Sequence, residues 1–377
     1  MKHCILVSDS FKGTLSSGEI CRIGTKTIGE FFPDCRVTAM PIADGGEGTV
    51  DAVLTICGGE KVTAETTGPF GDPVIAAYGR LSPTTAIIEM ASAAGLPLAE
   101  GRLDPCGATT YGVGRLIAHA VEAGAKEIVL GLGGSCTNDA GCGCAAALGA
   151  RFLDEQGREF VPTGMTLSRV AQIDLSGLKE KLAGVSITAM CDIDNPLYGL
   201  RGAAHVFAPQ KGADPAMVEA LDRELRTFAW TLQRCLGFQG WDHPGAGAAG
   251  GFGAGGLALL GAKLRSGIDT ILDLARFEEK LTDCDLVITG EGRIDAQSVG
   301  GKVISGIARR TREKNVPLIA IVGEIADNAV CAYDIGVTAM FPINRKAQPF
   351  SESRYRSAEN YAATLEDILR LLRATGY

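Results

Sequence analysis

Short apolar runs, most of them followed by a Gly- and acid-rich loop, stand at both ends of this chain and restrict its fold more than any other feature. Cys4 to Val7 opens the first. Ser8 to Gly13 is its loop, Ser16 and Glu19 form a capping-box pair, and Ile20, Ile23, Thr27 and Phe31 follow at helical spacing. Val37 to Ile42 opens the second, with the loop Ala43-Asp44-Gly45-Gly46-Glu47-Gly48 and a helix face of Val50, Val53, Leu54 and Cys57. Asp285 to Thr289, Pro317 to Val322 and Val337 to Ile343 repeat the theme near the other end, before a terminal amphipathic helix marked by Leu365, Ile368, Leu369 and Leu372. Runs that are apolar throughout suit parallel strands buried on both faces. The five runs therefore predict one doubly wound parallel sheet built from two distant stretches of chain.

The middle reads differently. From Lys61 to about Met90 apolar and polar residues alternate, with Gly68-Pro69 and Gly71-Asp72-Pro73 as turns, which predicts antiparallel strands. A helix near Tyr111 to Ala123, strands at Glu127 to Leu130 and Val185 to Met190, and a long helix near Met217 to Arg234 follow. The expected fold is α/β: a discontinuous doubly wound domain, residues 1–75 and 277–377, with a second α/β domain, 76–276, inserted. An insertion leaves a cleft between domains, where ligands commonly bind.

At 377 residues, 46% of them hydrophobic, the chain can fill two such cores without disulfides or a structural metal. Its 50 glycines are about twice the usual share and point to many tight loops. A net charge of −8 excludes the basic face a duplex nucleic-acid binder needs. The twelve cysteines contain no C-x-x-C pair, and Cys136, Cys142 and Cys144 cluster without a histidine, so they read as buried thiols of a reducing compartment. The opening apolar run is too short for a signal peptide, and no stretch reaches the length of a membrane span. A soluble, cytoplasmic protein is expected, and a homo-oligomer is compatible with it.

Several loops after predicted strands carry groups that chemistry can use, although each also serves as an ordinary βα turn. Ser8-Asp9-Ser10-Phe11-Lys12-Gly13 sets a cation beside a helix start, which suits an anion. Asp44 and Glu47 place two carboxylates on flexible backbone and are candidate Mg²⁺ ligands, with helix-dipole capping by Glu47 as the competing role. The stretch from Gly131 to Gly141, with Gly133, Gly134, Ser135, Thr137 and Asn138, offers backbone N–H groups and hydroxyls to phosphate oxygens, but it is not a Walker A loop. Asp192 and Asp194 precede Pro196, where one could ligate a metal or accept a proton. Gly290 to Asp295, with Gln297, Ser298 and Gly300-Gly301-Lys302, combines carboxylates, Arg293 and a lysine. Neither Asp192 nor Asp295 falls in the first turn of a predicted helix. G-x-G-x-x-G spacing within Gly245 to Gly256 follows no strand, so it reads as small-residue packing or an anion loop and not as a dinucleotide fingerprint. The four histidines are scattered, and His119 reads as structural. Acid, glycine and Lys/Arg without histidine chemistry indicate Mg-nucleotide phosphoryl transfer.

Asp9-Ser10-Phe11-Lys12-Gly13, Pro41 to Thr49, Gly131 to Gly141 and Gly290 to Asp295 stand in an order that resembles the bacterial glycerate kinase family over essentially the whole chain. The resemblance implies a flavodoxin-like domain carrying an inserted α/β domain. It implies ATP-dependent phosphorylation of D-glycerate, usually at the 2-hydroxyl, in sugar-acid and glyoxylate catabolism, with 3-phosphoglycerate formation or another small hydroxy acid as alternatives. A non-catalytic nucleotide-binding regulator is a further reading. The expected mechanism is in-line transfer. Mg²⁺, held by Asp44, Glu47 and Asp192, and the N–H groups around Gly133, Gly134, Ser135, Thr137 and Asn138 would grip ATP. Ser10, Lys12 and Arg293 would hold the substrate carboxylate, and Asp192 or Asp295 would handle the hydroxyl proton, with Lys12 counted among the catalytic groups. The inserted domain would close over the cleft to exclude water.

Overall fold

A computed structural model describes residues 1–377 except Asp44, Gln297, Val299, Gly300, Gly301 and Lys302. Its contacts divide the chain into two units: Met1–Asp44, Thr55–Gly58 and Ile268–Tyr377 form the first, Gly45–Leu54 and Gly59–Gly267 the second.

The first unit holds a five-stranded, wholly parallel sheet in the order Arg36–Pro41, His3–Ser8, Leu286–Thr289, Leu318–Val322, Ala339–Pro342. Counted within the unit this is 2-1-3-4-5, the flavodoxin-like order. His3–Ser8, Leu286–Thr289 and Leu318–Val322 are buried along their whole length, as uniformly apolar runs require. Helix Ser17–Phe31 begins with the expected capping box, in which Ser16 accepts from the Glu19 N–H and Glu19 reaches back to the Ser16 N–H. Leu6, Ile20, Ile28, Ile288, Ile321, Leu365 and Leu369 meet in one core beside the terminal helix Ser357–Ala374. The strand order reverses between His3–Ser8 and Leu286–Thr289, and in open α/β sheets ligands commonly bind outside the carboxyl ends of the strands at such a switch point.

The second unit holds a six-stranded mixed sheet, ordered Lys263–Arg265, Ser186–Met190, Glu127–Gly131, Thr85–Glu89, Pro73–Arg80, Glu60–Thr67. The first four strands are parallel, and the expected antiparallel hairpin joins Glu60–Thr67 to Pro73–Arg80. That hairpin shows why the contacts change unit before residue 75. Glu60–Thr67 finds its hydrogen-bond partner in Pro73–Arg80, and Gly59 lies against the Arg80 carbonyl so closely that a Cβ would sit 2.3 Å from it. Tyr78, Leu116, Leu130, Phe152, Leu225, Phe228 and Phe252 fill this core. His119 packs edge-on against Tyr78, with its Nδ1 3.1 Å from the tyrosine hydroxyl. The long helix Pro215–Leu236 is capped by Asp214 at its start and by left-handed Gly237 at its end. Among the described residues no helix is long and apolar enough to cross a membrane.

Candidate active site

In the second unit the Gly131 to Gly141 loop leaves the strand Glu127–Gly131 at the carboxyl edge. Asp139 is its internal brace. Fully buried, its carboxylate accepts from the Thr110 N–H (2.7 Å) and hydroxyl (2.9 Å), the Thr109 hydroxyl (3.3 Å) and the N–H groups of Gly141 (3.1 Å) and Gly143 (3.2 Å). Burial raises this carboxyl above its ordinary value, and the donors from Thr110, Gly141 and Gly143 oppose the rise. The Gly245 to Gly256 stretch braces the loop from another side. Its helix Ala248–Leu259 contains three successive left-handed residues, Ala249 (φ 52°), Gly250 (φ 67°) and Gly251 (φ 87°). The Gly250 carbonyl accepts the Ala140 N–H at 3.1 Å, and a Cβ on Gly250 would meet the Thr137 carbonyl at 2.1 Å. The stretch is thus close packing against the loop.

Lys211 supplies the third constraint. Only 2% exposed, it donates to Ser135 Oγ at 2.9 Å and to the Thr137 carbonyl at 2.7 Å. Burial pushes its ammonium down to about 8. Beside this clamp the Thr137 hydroxyl and both polar atoms of the Asn138 side chain are buried without a hydrogen-bond partner among the described residues. Buried polar groups are nearly always paired, so such a cluster marks a place where a bound group supplies the partners.

Two further loops join this edge. The Gly133 N–H donates to the Gly45 carbonyl at 3.0 Å, and Gly45 lies against Met190, at the end of the strand Ser186–Met190. The loop carrying Glu47 therefore meets both the Gly131 loop and the strand that leads to Asp192. Glu89, buried, accepts from the Val50 and Gly48 N–H groups at the start of helix Thr49–Cys57, so the dipole at that terminus is met by Glu89 and Glu47 stays exposed. Burial raises the Glu89 carboxyl. Asp192 is exposed, and its Oδ1 accepts the Gly267 N–H at 2.8 Å. Gly267 opens helix Gly267–Leu274, so Asp192 has the capping role that the sequence reading did not give it. Asp194 pairs with Arg201 at the surface. Of the expected Mg²⁺ ligands Asp44, Glu47 and Asp192, Asp44 lies outside the described residues. Among those described no group of three or more His, Cys, Asp or Glu side chains is placed to hold a metal.

In the first unit, Asp9 N–H and Ser8 Oγ both donate to the Gly290 carbonyl, at 3.0 and 3.1 Å, which joins the loops on either side of the switch point. Ser10 donates its N–H to Asp9 Oδ1 at 2.6 Å. Lys12 is exposed and lines a pocket of about 290 Å³ with Phe11, Glu324, Asn344, Gln348 and Phe350. The neighbouring helix start already holds the Glu19 carboxylate, so the attraction for an anion here is Lys12 itself. Arg293 lies 3.9 Å from Asp295 and 3.8 Å from Glu324. Asp295 Oδ1 accepts the Ser298 N–H at 3.2 Å in an Asx-type turn. Gln297, Gly300, Gly301 and Lys302 of the same loop lie outside the described residues. Ser10, Lys12, Arg293 and Asp295 thus share the carboxyl edge of the first sheet, as Gly133 to Asn138, Glu47 and Asp192 share that of the second. Lys211 and Glu89 escaped the sequence reading. Lys211 sits between Gln210 and Gly212 in a single 3₁₀ turn with no periodic signal, and Glu89 ends an apolar strand like any edge residue.

The sequence profile of the glycerate kinase family matches residues 4–373. A protein of Bacillus subtilis strain 168 named glycerate kinase is 43% identical over 366 residues, covering 97% of this chain and 96% of its own. One of Escherichia coli K12 named glycerate 2-kinase is 42% identical over 371 residues, covering 96% and 97%. The crystal structure of a Salmonella typhimurium LT2 protein named as glycerate kinase 2 matches with a TM-score of 0.86 at 40% identity, covering 100% of this chain and 99% of its own.

Proposed function

The chain belongs to the glycerate kinase family, and from that premise we propose that it transfers the γ-phosphoryl group of ATP to the 2-hydroxyl of D-glycerate, giving 2-phosphoglycerate in sugar-acid and glyoxylate catabolism. The Escherichia coli relative's name, glycerate 2-kinase, supports the choice of hydroxyl. The observation that carries the phosphate-binding part is the buried set of Thr137 hydroxyl and Asn138 amide, without partners among the described residues, beside Lys211 in a braced Gly-rich loop. The Gly133 N–H is already given to the Gly45 carbonyl, so the Gly134 N–H and the Ser135 hydroxyl complete the donor set for phosphate oxygens.

Ser10, Lys12 and Arg293 would receive the glycerate carboxylate, a guanidinium and an ammonium being the groups that bind carboxylates most strongly. The substrate hydroxyl oxygen bonds to the γ-phosphorus as the bond to the β–γ bridging oxygen breaks, and ADP leaves with that electron pair. Asp192 or Asp295 takes the hydroxyl proton. Mg²⁺ prefers oxygen ligands, keeps several waters and needs only one or two carboxylates besides phosphates. Glu47 and Asp192 present exposed carboxylates for it, and Asp44, the third expected ligand, lies outside the described residues. Bound there, the ion would neutralise phosphate charge.

The test is incubation with ATP, Mg²⁺ and D-glycerate, with the product isomer read by phosphorus NMR. The expected product is 2-phosphoglycerate, with turnover lost in excess chelator. Formation of 3-phosphoglycerate would overturn the regiochemistry, and no phosphorylated product from D-glycerate would overturn the substrate.

A further inference from the structure

We infer that Lys211 is a positioning residue of the phosphate loop: by donating to Ser135 Oγ it commits the Ser135 O–H proton to a phosphoryl oxygen of the nucleotide. The inference rests on the nucleotide-binding reading of Gly133 to Asn138.

An ammonium has three donors and no acceptor, and a lysine is almost never fully buried without an anionic partner. Lys211 makes two hydrogen bonds, both to neutral oxygens of one loop, and no ion pair among the described residues. Removing a charge from water is costly even beside the buried polar groups of this loop. A purely structural tie between the Lys211 turn and the loop could be made by a neutral donor at less cost. What the charge adds is at Ser135. A hydroxyl has one donor and two acceptor sites, and its rotor is otherwise free. A charge-assisted bond into its oxygen fills an acceptor site and turns the proton away from the lysine. The second bond, to the Thr137 carbonyl, fixes the backbone that presents the unpartnered Thr137 hydroxyl and Asn138 amide.

The ionisable groups that face the ammonium are Cys136 and Asp139, both on the loop it holds. Burial pushes the Cys136 thiol up to about 11, so it stays neutral across the working range, and Asp139 is already saturated by its five donors. Loss of the Lys211 proton near pH 8 gives the amine a lone pair that can accept the Ser135 O–H, so the hydroxyl is no longer committed to the phosphate and kcat/KM for ATP should fall above that pH.

The experiment compares wild type, Lys211→Met, Lys211→Arg, Ser135→Ala and the Lys211→Met/Ser135→Ala double variant, with circular-dichroism melting as the fold control. Expected are a rise of about tenfold or more in KM for ATP in Lys211→Met and in Ser135→Ala, and a double variant hardly worse than either single one. The wild-type alkaline limb near pH 8 should move upward in Lys211→Arg, whose guanidinium does not deprotonate. Fully additive losses with an unmoved alkaline limb would overturn the inference. If Lys211→Met does not fold, the limb in Lys211→Arg decides: upward displacement supports the inference and an unchanged limb overturns it. If Ser135→Ala and Asn138→Ala both leave KM for ATP unchanged, the nucleotide-binding reading itself has failed, a result distinct from additivity.

Discussion

Gly133 donates its backbone N–H to the carbonyl of Gly45 at 3.0 Å, and the loop that carries Gly131 and Gly133 has no room for a side chain at this crossing. A Cβ on Gly133 would lie 2.7 Å from the Gly46 backbone, and one on Gly131 would lie 2.4 Å from the Gly45 carbonyl oxygen. Two loops far apart in sequence are therefore one surface in the second unit. Gly133→Ala should cost about 1–3 kcal/mol through overpacking against backbone that cannot rotate aside, and kcat/KM should fall as the loops part. Chemical denaturation and steady-state kinetics on the same preparation check it; wild-type kinetics would show that the crossing does not matter to the reaction.

Asp192→Asn and Asp295→Asn separate charge from shape. The amide oxygen of asparagine can still accept the Gly267 N–H at position 192 and the Ser298 N–H at position 295, so folding should survive. A residue that takes the hydroxyl proton should lose about 10²-fold or more in kcat. Near-wild-type kcat in both variants would return both carboxylates to turn and cap duty.

Ala249 adopts left-handed backbone (φ 52°, ψ 46°), which a Cβ resists. Ala249→Gly should stabilise the second unit by about 0.5–1 kcal/mol, net of the added freedom of the unfolded chain, while the neighbouring Gly250 contact with Thr137 is kept. A thermal melt that does not rise would mean that the turn carries no such strain.

Arg310 is buried on helix Val303–Glu313 and gathers Asp269, Asp273 and Glu278 in the first unit. Arg310→Met leaves three carboxylates crowded without their cation. Because these are partly exposed, a loss of about 2–3 kcal/mol is expected, below that of a fully buried pair. The loss should shrink when Asp273→Asn is added, and a full-sized loss in that background would refute the charge-crowding account.

The sheet of the first unit was legible because its strands are short and mainly apolar, the three central ones buried throughout, and its helix start because Ser16 and Glu19 act within one turn. The loops were legible as chemistry because Ser, Thr, Asn and Asp cluster after strands. What escaped depends on partners far along the chain. Asp192 finds Gly267, 75 residues on, and Lys211 finds Ser135, 76 residues back; no spacing rule links such pairs. The change of unit at Gly59 was hidden because Gly58-Gly59 looks like any turn, and only the hairpin of Glu60–Thr67 with Pro73–Arg80 reveals it.

The five donors that converge on Asp139 bear on how fast a nucleotide is captured. Loops that must order themselves around a ligand slow its association and weaken its hold, because many encounters end before the backbone settles. Here the Thr110, Gly141 and Gly143 amides are fixed on a carboxylate at the centre of the loop before any ligand arrives. Capture by this loop is then governed by collision and by the charge on the incoming phosphates, so its rate should follow ionic strength closely and depend little on any rearrangement of the loop itself.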